Sequence, residues 1–233
     1  MANKLSIGGG VEGGSSAQEE CLFRSSNYHL ALYPYGTLVN DLSWHHGRHH
    51  YNTLIPEFGS YYSPQVQVFR NTLEDYTFVT TPFSVGCIAV AGYDLRRAWR
   101  EAQESKTLKE SDSVDSNLEK NNRYDLETNL RGLSGPDLFE AFVYFSKLKI
   151  RHILQVAITH GHDSLVLGAI SCGAFTIPGR ENEVTQSIAR AYKEVFEEPC
   201  YVGRFKHVCF AVLGFGRQGI ANYNCFKSTF EVH

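Results

Sequence analysis

The order of elements in this sequence predicts an α/β fold. An apolar strand, a small-residue turn, an amphipathic helix and a second apolar strand follow one another between Asp163 and Leu213. Runs rich in Val, Ile, Phe and Thr lie between Val66 and Ala91, and helix-period apolar stripes stand at both ends of the chain. With 233 residues, the chain is long enough for one domain, 1–233, with a large core. In such a fold, ligands sit beyond the carboxyl ends of the strands.

Residues 1 to 14, MANKLSIGGGVEGG, are too glycine-rich for helix or strand and read as a backbone loop. A helix is expected from Ser16 to about Leu32, because Ala17, Cys21, Tyr28 and Leu32 keep near-helical spacing and Ser16-Ala17-Gln18-Glu19 has the form of a capping box. Residues 34 to 64 are polar, aromatic and His-rich, an irregular loop with at most one short strand. Three strands are then expected at Val66–Arg70, Tyr76–Thr81 and Val85–Ala91. A helix near Asp94 leads into a polar stretch, 101–132, of alternating charge, which reads as an exposed insertion.

Ser134-Gly135-Pro136-Asp137 is a second capping-box pattern. It opens a helix whose apolar stripe is Ile150, Ile153, Leu154, Ala157 and Ile158, with Gly161 as the stop. Asp163–Ala169 reads as a continuous apolar strand, Val184 to Phe196 as an amphipathic helix, and His207–Leu213 as a second apolar strand, a βαβ unit in a largely buried sheet. A last helix carries Phe226 and Phe230.

Composition excludes several classes. Lys and Arg number 22 against 25 Asp and Glu, a net charge of −3, so general nucleic-acid binding by counterion release is not expected. No apolar run reaches the roughly 18 residues of a membrane span, and no signal peptide is read at the start, so an intracellular protein with reduced thiols, cytoplasmic or nuclear, is expected. The six cysteines contain no C-x-x-C pair, unlike a zinc ribbon or a redox dithiol.

Two constellations carry chemistry. Gly8-Gly9-Gly10 is followed after a seven-residue spacer by Gln18-Glu19-Glu20. Consecutive glycines let backbone N–H groups approach a ligand, and the positive end of the following helix adds to the field that holds an anion such as pyrophosphate. The alternative is structural: Glu19 as the capping-box partner of Ser16, and Glu20 as a solvated i, i+4 pair with Arg24. Spacing alone supports both equally. The second constellation is the turn Ser171-Cys172-Gly173-Ala174-Phe175 after an apolar strand, where small residues permit close backbone approach and Phe175 stands at the rim. Its alternative is tight packing of helix on strand.

These residues resemble the signature of the poly(ADP-ribose) glycohydrolases, a branch of the macrodomain fold: GGG, a short spacer, then QEE. Ala2-Asn3 resembles the family's Ala-Asn step, EFGSYYSPQVQVFR the strand region of the compact microbial type, and LVLGAISCGAF its second phosphate loop. Motifs in order cover residues 2 to 92 and 137 to 230. The resemblance implies a macrodomain-like mixed sheet sandwiched between helices. The family's strand before the Ala-Asn step is expected to be lacking, since Met1 stands where it would end.

It also implies hydrolysis of the ribose–ribose O-glycosidic bond of poly(ADP-ribose), mainly from chain ends. Hydrolysis of single ADP-ribosyl groups on an acceptor, or non-catalytic reading of ADP-ribose, are the alternatives. Glu20 would protonate the departing ribose oxygen and then activate water, and Glu19 would position a ribose hydroxyl. Asn3 and Gln18 would help hold the substrate, with Gly8, Gly9 and Gly10 on one side of the pyrophosphate and Ser171, Cys172, Gly173 and Ala174 on the other. Phe175 would pack beside the ribose. A carboxyl that must arrive protonated at neutral pH needs burial or a like charge beside it, so Glu20 is expected in a partly desolvated site near Glu19. Neither cofactor nor metal is implied; the partner is poly(ADP-ribose) or an ADP-ribosylated protein, and a monomer is expected. The departures are Ile7 where many relatives have Pro, and Ile170-Ser171 in place of a Trp-containing step.

Weaker signals remain. His45, His46, His49 and His50 read as a solvated or substrate-facing loop rather than a zinc site. Cys172 paired with His162 or His207 has the makings of a nucleophile, but a buried small thiol is the simpler reading. Tyr61, Tyr62 and Phe69 read as strand packing, with an adenine-stacking wall as the sharper alternative.

Overall fold

The computed structural model describes residues 11, 13–15, 17–32, 55, 57–72, 75–96, 99–100, 130 and 133–231. Asn3, Gly8, Gly9, Gly10, Ser16, the four clustered histidines and nearly all of the 101–132 stretch lie outside them. The chain divides into two compact units, Met1–Ala91 and Gly92–His233.

In the first unit, β1 (Tyr61–Arg70) pairs antiparallel with β2 (Phe78–Ala89), with Val66 opposite Val85 and Tyr61 opposite Ala89. The expected break between Tyr76–Thr81 and Val85–Ala91 is absent, and Pro82 lies inside β2. A proline is tolerated where no partner needs its missing N–H. Register irregularities fall between Ser63 and Val66 and between Val68 and Arg70. The connecting turn places Asp75 and Tyr76 at positive φ and closes with Asn71 N–H donating to Thr77 O at 2.8 Å.

The helix expected from Ser16 to Leu32 is two helices, α1 (Gln18–Ser25) and α2 (Tyr28–Leu32). Serine and asparagine offer the chain a competing set of bonds between them. Ser26 Oγ accepts from Tyr28 N–H, Asn27 Oδ1 accepts from Gln67 N–H at 2.8 Å, Asn27 N–H donates to Gln67 O, and Ser26 bridges Val68. The chain thus leaves the helix to bond β1. The N-cap of α1 is Ala17, with no side-chain cap bond, and its N–H donates to Ser15 Oγ; the expected cap, Ser16, lies outside the described residues. Phe23, Tyr28, Leu32, Ile55, Val66 and Ala89 form the core of this unit. Phe23, Leu32, Ile55 and Val66 each contribute about 1.5–3 kcal/mol on burial.

The second unit is built on α3 (Gly135–Thr159), a 25-residue helix with Ser134 as N-cap. Ser134 makes no side-chain cap bond. Gly135 enters at φ +56° and Pro136 has no N–H to offer, so the expected box does not close. The stop is as expected. Gly161 at φ +75° donates to Ile158 O, and His162 N–H reaches back to Ala157 O, a Schellman motif. Ile150, Ile153, Leu154 and Ala157 are buried; so are Phe142, edge-on to Tyr93, and Lys149, whose ammonium lies 4.4 Å from the Tyr93 ring centre. Leu130, within the supposed exposed insertion, is fully buried.

The βαβ unit is present: β3 (Ser164–Leu167), α4 (Glu181–Phe196) and β4 (His207–Phe210), with β3 and β4 parallel. The expected burial of both strand faces is not found among the described residues. Val166 is 71% exposed and its partner Cys209 is exposed, while Leu167 is buried opposite Phe210. One face is covered because Tyr192 of α4 and Phe226 and Phe230 of α5 (Gly216–Phe230) gather around the Phe210 ring, at centroid distances of 5.1, 5.2 and 4.5 Å. Parallel strands are apolar on both faces only where helices cover both. On the other flank α4 packs on α3, where Lys147 pairs with Glu194 and Arg151 with Glu198, the latter at 2.6 Å. Among the described residues, both antiparallel and parallel pairing therefore occur, in two two-stranded sheets.

Candidate active site

The acidic pair stands in the first turn of α1. Its setting follows from helix phase: Phe23 anchors α1 in the core, and Glu19 and Glu20 lie four and three residues before it, one turn up on the same side. Both carboxylates are therefore half-buried, whereas Gln18, off that stripe, is exposed. Glu19 is close enough to the buried Tyr28 to act on it electrostatically. Burial chiefly, then Cys87 and Glu19, holds the Tyr28 phenol above its ordinary range. Carboxylates in a first helical turn are also favoured by the helix dipole.

Arg24, which sequence reasoning treated only as a surface partner for Glu20, has a more specific part. Its guanidinium donates to Val11 O at 2.8 Å and to Ser15 O at 2.7 Å, and lies over the Tyr76 ring, whose hydroxyl is 3.4 Å away. It thus ties down the segment between the glycines and the acidic pair. A planar fork that bonds two carbonyls is a geometry lysine does not reproduce. The sequence signal was available: a lone arginine on the last turn of a short helix that follows a glycine loop.

In the second unit, the turn after β3 is compact. Cys172 N–H donates to Ala169 O, and Thr176 donates from both its N–H and its hydroxyl to Gly173 O. Leu95 N–H holds Phe175 O at 2.9 Å, and Arg96, paired with Asp94 at 2.9 Å, places its guanidinium 5.2 Å from the Phe175 ring centre. Ser171 sits at φ +61°, with its hydroxyl buried, unpartnered and pressed against Gly92. Its side chain faces inward, so its backbone is the part available to a ligand. Gly173 and Ala174 are exposed, and a Cβ on Gly173 would meet nothing within 4 Å. The protein's own packing therefore does not demand glycine at 173.

Cys172 is a structural thiol. Its Sγ donates to Ile170 O, and burial pushes its pKa up to about 12, the wrong direction for a nucleophile. Behind the turn, Asn222 of α5 donates from Nδ2 to Cys172 O at 2.9 Å, a contact that sequence reasoning missed. The only hint was a polar residue four positions before the buried Phe226. Phe69 packs on Phe78 at 6.3 Å, in keeping with strand packing, while Tyr61 is exposed. Among the described residues, no group of three or more His, Cys, Asp or Glu is placed to hold a metal, and no helix is long and apolar enough to cross a membrane.

A half-buried acidic pair thus opens α1 in the first unit, and a small-residue turn follows a parallel strand in the second. Residues 1–71 match the microbial-type poly(ADP-ribose) glycohydrolase catalytic domain. The fold is that of solved bacterial poly(ADP-ribose) glycohydrolases. The Thermomonospora curvata protein bound to the inhibitor ADP-HPD is 24% identical with a TM-score of 0.62, covering 99% of this chain and 68% of that one. The Deinococcus radiodurans protein in complex with ADP-ribose is 24% identical with a TM-score of 0.61, covering 99% and 73%. A second T. curvata structure, 20% identical with a TM-score of 0.60, is spanned over 66% of its length. No curated protein matches the chain. The expected macrodomain-like fold is borne out, as is the resemblance at the N-terminal motifs.

Proposed function

We infer that this protein hydrolyses the ribose–ribose O-glycosidic bond of poly(ADP-ribose), releasing ADP-ribose mainly from chain ends, with 1–233 acting as one glycohydrolase domain. The observation that carries this reading is the half-buried Glu19–Glu20 pair at the start of α1, inside the segment that matches the microbial-type catalytic domain. A module that only bound ADP-ribose would gain nothing from two carboxylates near an anionic ligand. The relatives bound to ADP-ribose and ADP-HPD support the same ligand class.

Glu20 acts as the acid that protonates the departing ribose oxygen as positive charge develops on the ring, and then as the base that takes a proton from water. Glu19 orients a ribose hydroxyl. Asn3, Gln18, Gly8, Gly9 and Gly10 hold the substrate from the glycine loop, which Arg24 steadies. Ser171, Cys172, Gly173 and Ala174 offer backbone to the pyrophosphate. The open space at Gly173 supports this role, because the absence of a side chain there serves close approach from outside rather than internal packing. Phe175 packs against the ribose.

The test is release of free ADP-ribose from labelled poly(ADP-ribose) by wild type and by Glu20→Gln. Wild type is expected to release it, and Glu20→Gln to be slowed by at least about 100-fold. Binding without release would make the protein a reader, cleavage of single ADP-ribosyl acceptors alone would change the substrate, and an unimpaired Glu20→Gln would remove the mechanism.

A further inference from the structure

Asn222 is 8% exposed, on the core-facing side of α5, and every polar atom of its side chain is engaged. Nδ2 donates to Cys172 O at 2.9 Å, while Oδ1 accepts from Thr185 Oγ1 of α4 at 2.7 Å and from Gln218 Nε2 one turn earlier at 2.8 Å. Cys172 O can only accept, and this fixes the amide orientation, since the flipped group would set Oδ1 against it. The Thr185 hydroxyl proton is shared with Glu181 O at 3.0 Å, one turn earlier on α4. Two helices thus converge on one peptide of the turn, and that peptide lies between Ser171, held at φ +61°, and the exposed Gly173.

The placement has a physical consequence. A turn that contains a left-handed serine and a buried unpartnered hydroxyl carries unfavourable terms and persists only where its surroundings over-determine it. Its own bonds, Cys172 N–H to Ala169 O and Thr176 to Gly173 O, are local. Two long-range bonds add to them: Leu95 N–H to Phe175 O at the end of the turn, and Asn222 to Cys172 O, between residues 50 apart in the chain, at its centre. We propose that Asn222, oriented by Thr185 and Gln218, is a positioning residue that holds the 171–175 turn in its ligand-ready conformation. It acts on substrate binding rather than on the chemical step. As a contribution to substrate recognition, this rests on the function proposed above; as a clamp on the turn, it stands on the hydrogen bonds alone.

The test uses the full chain with Asn222→Asp, Thr185→Val and Thr185→Ser. Asn222→Asp keeps the size and the Oδ1 acceptor but sets a carboxylate oxygen against Cys172 O. Amide hydrogen exchange at residues 172–175 is expected to rise about tenfold, without a matching rise in α3, and KM for poly(ADP-ribose) to rise about tenfold with kcat within about twofold. Thr185→Val should show a smaller change of the same kind, and Thr185→Ser, which keeps the donor, should behave as wild type. Unchanged exchange and KM in Asn222→Asp would overturn the proposal, as would acceleration spread evenly over the second unit, the mark of a general core residue. If Asn222→Asp does not fold, the two Thr185 variants decide by the same readouts. If wild type neither binds nor cleaves the polymer, the functional reading falls, and exchange at the turn alone decides whether the clamp exists.

Discussion

Ser171 pairs a backbone conformation with a side-chain setting that both disfavour serine, and replacing it with glycine tests both at once. Its φ of +61° lies in the left-handed region, which costs a residue with a Cβ about 1–2 kcal/mol. The residue is 7% exposed, and its buried hydroxyl has no hydrogen-bond partner, a further cost of about 1–3 kcal/mol. Glycine removes both and adds back about 0.5–1 kcal/mol of unfolded-chain entropy. Ser171→Gly is therefore expected to stabilise the protein by at least about 1 kcal/mol, or about 2–4 °C in Tm for a chain of this size. Ser171→Ala, which relieves only the hydroxyl, should gain less. A second variant sharpens the test. A Cβ on Gly92 would stand 3.0 Å from Ser171 Oγ, so Gly92→Ala alone should destabilise, and should be tolerated better beside Ser171→Gly. The coupling, read by calorimetry or urea titration on all four proteins, is expected to be about 0.5–1 kcal/mol. A Ser171→Gly protein less stable than wild type, or strict additivity with Gly92→Ala, would refute the reasoning.

Two further expectations concern the loop and pH. Arg24→Ala removes the donors to Val11 O and Ser15 O, and kcat/KM should fall about tenfold or more, since hydrogen bonds to charged groups contribute about 1.5–3 kcal/mol. Arg24→Lys should recover little, and full activity in either variant would show that the segment holds itself. Burial first, and then Lys149, lowers the pKa of His152 from the usual 6.5, and burial lowers that of His29. A depressed histidine stabilises the fold fully above its unfolded pKa, and that stability is lost as pH falls below about 6.5. The fall in Tm between neutral pH and pH 5 should thus be shallower in His152→Gln than in wild type, and an equal slope would rule out His152 as a contributor.

Local rules made much of the fold legible. The βαβ order, the α3 stripe with its Gly161 stop and the aromatic last helix are short-range patterns that tertiary packing reinforced. The same rules failed where a distant strand or helix competed. Ser26 and Asn27 left a helical pattern to bond Gln67 and Val68, and Pro82 was carried through a strand. Leu130 was drawn out of a polar stretch into the core. The Gln18-Glu19-Glu20 motif and the Ser171–Phe175 turn were visible as residue types, because each is a short run of unusual composition.

What the amino-acid order determined by itself was the class of fold, the candidate turn at 171–175 and the position of the acidic pair, since each depends on spacing within about twenty residues. Only the tertiary structure decided how those loops are held: Arg24 across the segment after the glycines, Asn222 and Thr185 behind the Cys172 peptide, and Ser171 turned inward against Gly92. These contacts join residues up to 79 positions apart along the chain, from Gly92 to Ser171. No local pattern encodes such pairings. They form because packing a core brings particular polar groups together in surroundings where leaving any of them unpaired is costly.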